Sequence, residues 1–252
     1  MAVIAGNWKM HMGAARTRSF FAELRLDEGA AKNELLLFPP MVSLQLASEC
    51  ADRDPRIQLG VQNIHWEDEG AFTGETSALM GKEAGASHVL IGHSERRHVF
   101  GETNDEVALK IQAGCRHGLT PVVCVGETLG ERRDGRVAEV ILKQLDAALG
   151  AMEGAGEQNG RLLIAYEPVW AIGTGETATP DDAARAHRTL RTRLESVLGL
   201  AAAVRTPILY GGSVKPQNAA DLLAAADVDG VLVGGASLDP ASFAQIASAG
   251  GG

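Results

Sequence analysis

The sequence runs to 252 residues, 45% hydrophobic and 22% charged, enough apolar material for a substantial core in one large domain or two small ones. Its 23 basic against 32 acidic residues give a formal charge of −9, which favours solubility and argues against a general binder of nucleic acid or anionic membrane. Any anionic ligand must be held by a local site working against the field of the whole molecule.

The chain opens with "MAVIAGNWKM", which passes directly into a short apolar run without the organisation of a signal peptide. That run, "AVIAGNW", is the first of eight predicted strands. "ELLLFPP", "IQLGVQN" and "HVLIGHS" follow, and each is almost continuously apolar, as expected of strands buried on both faces of a parallel sheet. A helix is predicted next over "TNDEVALKIQAGCRHG", where Thr103 and Glu106 stand at capping-box spacing. Val107, Ile111 and Cys115 mark its inner face, and Gly118 ends it. "PVVCVGE" and "RLLIAYEP" are the fifth and sixth strands.

The stretch after the sixth strand, "EPVWAIGTGETA" at 167–178, puts stiff residues ahead of small ones. Read over 173–178 it gives GxGxxA, the form of a dinucleotide fingerprint, but there the glycines should open the helix directly. Here the helix signals come later: Thr179 as cap, Pro180 at the first helical position, Asp181 and Asp182 at the positive end. A loop this long with small residues at its tip is read as mobile and functional instead. The helix that follows repeats Ala183, Ala186, Leu190, Leu194, Val197 and Leu198 at helical spacing and stops at Gly199. "PILYGGS" and "GVLVGGA" complete the strands.

Strand then helix, eight times over and with no linker, predicts one (β/α)8 barrel with eight parallel strands, occupying 1–252 as a single domain. An open doubly wound sheet is the alternative architecture. Cys50, Cys115 and Cys124 are widely spaced and form no CxxC pair, so neither a zinc ribbon nor a disulfide framework is expected. Reduced thiols, and no apolar stretch of membrane-spanning length, point to a cytoplasmic protein.

Side chains alternate along a strand. Ala5, Asn7 and Lys9 then share the inner face of the first strand, with Ile4 and Trp8 facing the helices. The same phase is assigned to Val89, Ile91 and His93 in the fourth and to Leu163, Ala165 and Glu167 in the sixth. An amide, an ammonium, an imidazole and a carboxylate would thus meet at the C-terminal mouth, where barrel enzymes keep their chemistry. Singly, each has an ordinary structural explanation; together, beside a mobile loop, they form a candidate site. The paired glycines of "YGGSV" and "VGGAS" fall in the seventh and eighth loops, where barrels often build a phosphate site from backbone N–H groups.

"GNWKM", "GHSERR", "AYEPVWAIGTG" and "YGGSV" together resemble the signatures of the triosephosphate isomerase family, in order and along the whole chain. The resemblance implies a TIM barrel that interconverts dihydroxyacetone phosphate and D-glyceraldehyde 3-phosphate through an enediolate, in glycolysis and gluconeogenesis, with no cofactor and no metal. It implies Glu167 as base, His93 as a neutral electrophile and Lys9 as the fixed charge near the oxyanion. Substrate contacts fall on Asn7, Lys9, Gly173, Ser213, Gly234 and Gly235; Ser94 and Glu95 look like supporting members. A helix start after His93 is expected to depress its pKa. Pro168, Val169 and Trp170 look like the stiff hinge of a lid, with Glu176 standing where many relatives carry lysine. "AFTGETSALM" at 71–80 resembles a loop that reaches into a second subunit, so a homodimer is expected. Cys124 matches a usual position and is read as a packing thiol. The alternative is a catalytically silent sugar-phosphate-binding barrel, which should have lost Lys9, His93 or Glu167.

Overall fold

A computed structural model describes residues 1–52, 54–154, 160–171 and 178–250, and the structural statements below concern these. Eight strands form a closed barrel: β1 (Val3–Asn7), β2 (Glu34–Phe38), β3 (Ile57–Val61), β4 (His88–Ile91), β5 (Thr120–Val125), β6 (Leu163–Tyr166), β7 (Ile208–Tyr210) and β8 (Gly230–Val233). Every neighbouring pair is parallel, and β1 closes the ring on β8 through Val3↔Gly230 to Gly6↔Val233. Seven of the eight predicted runs contain their strand, and β5 begins one residue before its run, at Thr120.

The α-helices among the described residues are α1 (Ala14–Glu23), α2 (Met41–Ala51), α3 (Ala78–Glu83), α4 (Ser94–Val99), α5 (Asn104–Arg116), α6 (Leu129–Arg133), α7 (Val137–Gly154), α8 (Pro180–Leu198), α9 (Leu200–Arg205), α10 (Ala219–Leu223) and α11 (Pro240–Ala249). None is long and apolar enough to cross a membrane. Helix α5 carries the expected capping box of Thr103 and Glu106. Helix α8 is capped by Thr179, whose hydroxyl accepts the Asp182 N–H while the Asp182 carboxylate accepts from Thr179. Its face is buried at Ala183, Ala186, Leu190 and Leu194, but Val197 and Leu198 emerge into solvent as the helix runs past the sheet.

Inside the barrel lies a small core that includes Ala5, Phe38, Leu90, Cys124, Ala165 and Leu232. A larger shell of apolar side chains fills the space between strands and helices. Trp8 is fully buried in that shell, and its indole N–H donates to Ser237 O at 3.0 Å, tying the end of β1 to the turn beyond β8. Burial of a side chain of this size contributes roughly 2–3 kcal/mol, and the hydrogen bond satisfies its one polar atom.

The strand phase expected for β1 and β6 holds, and the one expected for β4 does not. Leu90 points into the barrel, while Val89 and Ile91 pack outward against the helices. His93 still reaches the mouth because Gly92, at φ +70°, leaves the extended conformation and resets the alternation. Strict period-two counting fails across such a residue.

Candidate active site

Asn7 closes β1 and is buried; Lys9 follows two residues later with φ +50°, a left-handed conformation unusual for a residue with a side chain. The Lys9 N–H donates to Asn7 Oδ1 at 2.9 Å. Its ammonium ion-pairs with Glu95 Oε1 at 2.7 Å, both side chains being part-exposed. Glu95 Oε2 in turn lies 3.6 Å from His93 Nδ1.

His93 is the N-cap of α4, as its sequence position before "SERR" suggested. The Glu95 backbone N–H donates to His93 Nδ1 at 3.2 Å, so that nitrogen is the bare acceptor and Nε2 carries the ring proton. Nε2 faces Glu167 Oε1 at 3.0 Å. Glu167, which follows β6 and is 2% exposed, accepts further from the Ser94 backbone N–H at 2.8 Å and from Ser94 Oγ at 3.3 Å. Ser94 is therefore the seat of the carboxylate, the concrete form of its supporting place.

Protonation follows from these contacts. For Glu167, burial acts upward, but the His93 ring beside it, the Ser94 N–H and the Cys124 thiol outweigh burial and hold the carboxyl below its ordinary value. For His93, burial pulls downward, yet the charge and hydrogen bond of Glu167 carry the net direction above the ordinary imidazole value. The expected depression by the helix start is thus reversed in this arrangement. The reason is the adjacent carboxylate, which no reading of α4 alone supplies. Cys124 is buried, and burial followed by the Glu167 charge pushes its thiol far up, so it remains a neutral thiol against the carboxylate.

Two glycines make room for Glu167. A Cβ on Gly126 would lie 1.8 Å from the Glu167 carbonyl oxygen, and one on Gly211 would lie 2.9 Å from Glu167 Cγ. The paired glycines of the seventh loop therefore serve packing: Gly211 against the carboxylate stem, Gly212 against the Tyr210 ring. The pair in the eighth loop is different. Gly234 lies beside Lys9, with a Cβ there 3.7 Å from Lys9 Cε, and Gly235 meets open space at the start of a short 3-10 turn, Gly235–Leu238. Ser213, part-buried, lies just beyond β7, whose partner in the sheet is β8.

A cleft lined by Asn7, Lys9, Gln62, His93 and Glu95 opens at this end of the barrel. After Glu167, Val169–Ala171 form a short 3-10 turn. The Trp170 indole N–H donates to Glu127 Oε1 at 2.9 Å, and Tyr166 donates its hydroxyl to the same fully buried carboxylate. Gly173 and Glu176 lie outside the described residues. The structure thus brings together Asn7, Lys9, His93 and Glu167, and sets Ser213, Gly234 and Gly235 on adjoining loops. Gln62 and Glu127 were missed from the sequence although both stand at the ends of predicted strand runs, because the partners that give them a role lie 53 and 43 residues away.

Comparison with known proteins shows the family. The family model described as Triosephosphate isomerase matches residues 2–250. The triosephosphate isomerase of Solibacter usitatus (strain Ellin6076) is 49% identical over 245 residues, covering 97% of each chain. That of Thermoanaerobacter pseudethanolicus (strain ATCC 33223 / 39E) is 46% identical over 244 residues, again 97% of each. The crystal structure of triosephosphate isomerase from Bartonella henselae superposes with a TM-score of 0.85 at 41% identity, covering 98% of each chain. The chain belongs to the triosephosphate isomerase family.

Proposed function

We propose that this protein, working as one catalytic domain, interconverts dihydroxyacetone phosphate and D-glyceraldehyde 3-phosphate by proton transfer through an enediolate, in glycolysis and gluconeogenesis. The observation that carries the reading is the His93–Glu167 contact of 3.0 Å at the barrel mouth, with the Lys9 ammonium joined to the same group through Glu95.

The Glu167 carboxylate, held ionised, takes a proton from the carbon next to the substrate carbonyl and returns it to the neighbouring carbon. To do so it leaves its seat on Ser94 for the cleft. His93 donates from Nε2 to the substrate oxygens, because Nδ1 is engaged by the Glu95 N–H. Once Glu167 has moved away, its upward pull on His93 goes with it, and burial, the Lys9 charge and the start of α4 all act toward the neutral ring; triosephosphate isomerases are themselves the standard case of a neutral histidine tuned by a helix start. Lys9 supplies positive charge beside the oxyanion and Asn7 a further substrate contact. Gly173, Ser213, Gly234 and Gly235 hold the phosphate.

A homodimer through 71–80 is supported by the exposed apolar side chains of that segment, Phe72, Leu79 and Met80. The Phe72 ring lies tilted against the His65 ring, centroids 4.0 Å apart, yet stays 42% exposed. A cytoplasmic location fits the three free cysteines, two of them buried.

A coupled assay without added metal, supplying glyceraldehyde 3-phosphate and detecting dihydroxyacetone phosphate, tests the reaction. Glu167→Asp should lower turnover on the order of 100-fold with little change in KM, since it withdraws the base by about 1 Å and leaves the phosphate loops alone. Unchanged turnover would reject Glu167 as the base. A monomer at high dilution with full activity, seen by sedimentation and assay together, would reject the dimer.

A further inference from the structure

The left-handed Lys9 backbone is strained for a residue with a side chain and persists only where its surroundings over-determine it. Asn7 Oδ1 accepts the Lys9 N–H. The Lys9 carbonyl oxygen is held separately: it accepts from Gln62 Nε2 at 2.9 Å, and the same amide donates to Phe38 O at 2.8 Å. Gln62 lies just past β3, so its NH2 group staples the Lys9 loop to the end of β2 with both of its protons. The Phe38 carbonyl also accepts the Trp8 N–H at 3.1 Å, which joins the residue before Lys9 to the same anchor point.

The side chain follows from the backbone. With Lys9 turned this way its ammonium reaches Glu95, and its Cε passes within 3.7 Å of where a Gly234 Cβ would stand. A relaxed, extended Lys9 would send the same stem elsewhere.

We propose that Gln62 is a positioning residue for the isomerisation: by holding the Lys9 carbonyl it fixes the strained backbone that aims the ammonium at the reacting oxygens. The inference rests on the role given to Lys9 above, and a double-mutant cycle separates the two. Gln62→Met keeps the length of the side chain and removes both donors. In the otherwise unchanged protein it should lower kcat/KM between about 10- and 100-fold, the scale of a misplacement near 1 Å. In a Lys9→Met background, itself reduced at least about 100-fold by loss of the charge, it should cost less than about twofold further. All forms are assayed at concentrations where sedimentation shows the assembly of the parent protein, and Gln62→Leu replaces Gln62→Met if the latter does not fold. Equal losses in both backgrounds would mean that Gln62 serves general packing, and no loss would mean that Lys9 holds its conformation unaided; either overturns the proposal. If Lys9→Met retains full activity, the Lys9 assignment itself fails, and this inference with it.

Discussion

Strand β4 has a histidine at each end, and each faces a glutamate. At the C-terminal mouth, His93 Nε2 meets Glu167 at 3.0 Å, its other nitrogen is engaged by the first turn of α4, and the carboxylate is seated on Ser94. At the opposite end, His88 Nε2 stands 3.8 Å from Glu34 Oε1 with no hydrogen-bond partner, while Glu34 gives that oxygen to Arg161 at 2.7 Å. His88 Nδ1 is within 2.8 Å of Ser87 Oγ. Burial, and then the Arg161 charge, lower His88 to about 4, so its ring is neutral and the longer contact is no ion pair. The same two residue types become a coupled acid–base pair where the carboxylate is turned toward the ring, and a plain packing group where an arginine has taken it. What separates the two ends is the third group that engages each glutamate.

The sharpest way to break this comparison is to change each histidine alike. His93→Gln should reduce kcat on the order of 100- to 1,000-fold, the usual loss for one preorganised donor, whereas His88→Gln should leave kcat within about twofold. Similar losses for both, in the same assay, would erase the distinction. Next in size is stability against pH. The unfolded chain binds a proton at His88 below about 6.5 that the folded chain refuses until about 4, so stability is full above that window and falls as pH drops through it. At about 1.4 kcal/mol per unit this amounts to about 3 kcal/mol, and His187, also lowered to about 4 by burial, adds a loss of the same sign. Urea unfolding from pH 7 to pH 4 should show that decline, and His88→Phe should flatten part of it; a variant that declines as steeply as its parent would show that His88 is charged in the folded state. Smallest is Gly211→Ala, whose new methyl meets Glu167 Cγ at 2.9 Å and should cost roughly tenfold in kcat with the melting temperature little changed. Full activity would show that the carboxylate has slack at its seat.

The sequence made the barrel and most of its candidate site readable because their signals are local. Eight apolar runs mark the strands, Thr103 with Glu106 and Thr179 with Asp182 mark helix starts, and Asn7, His93 and Glu167 stand at strand ends. What it hid lies in contacts between distant segments. The role of Gly211 as space for Glu167, the hold of Gln62 on Lys9 and the burial of Glu127 under Trp170 each join residues dozens of positions apart. The phase of β4 departs from expectation for a local reason of another kind: alternation assumes extended backbone, and Gly92 interrupts it immediately before His93. The direction of the His93 shift was misjudged because the field of one neighbouring side chain exceeds that of a helix terminus.

Gly126, at the end of β5, has no room for even one carbon, since the Glu167 carbonyl already fills that volume. The joint between β5 and β6 and the main chain that bears Glu167, the proposed base, are therefore one and the same contact. Any larger residue introduced there would pry the wall apart and drag the acid with it. Attempts to re-aim this acid for other substrates must therefore work from the Ser94 and Gly211 sides, leaving the joint between the fifth and sixth strands untouched.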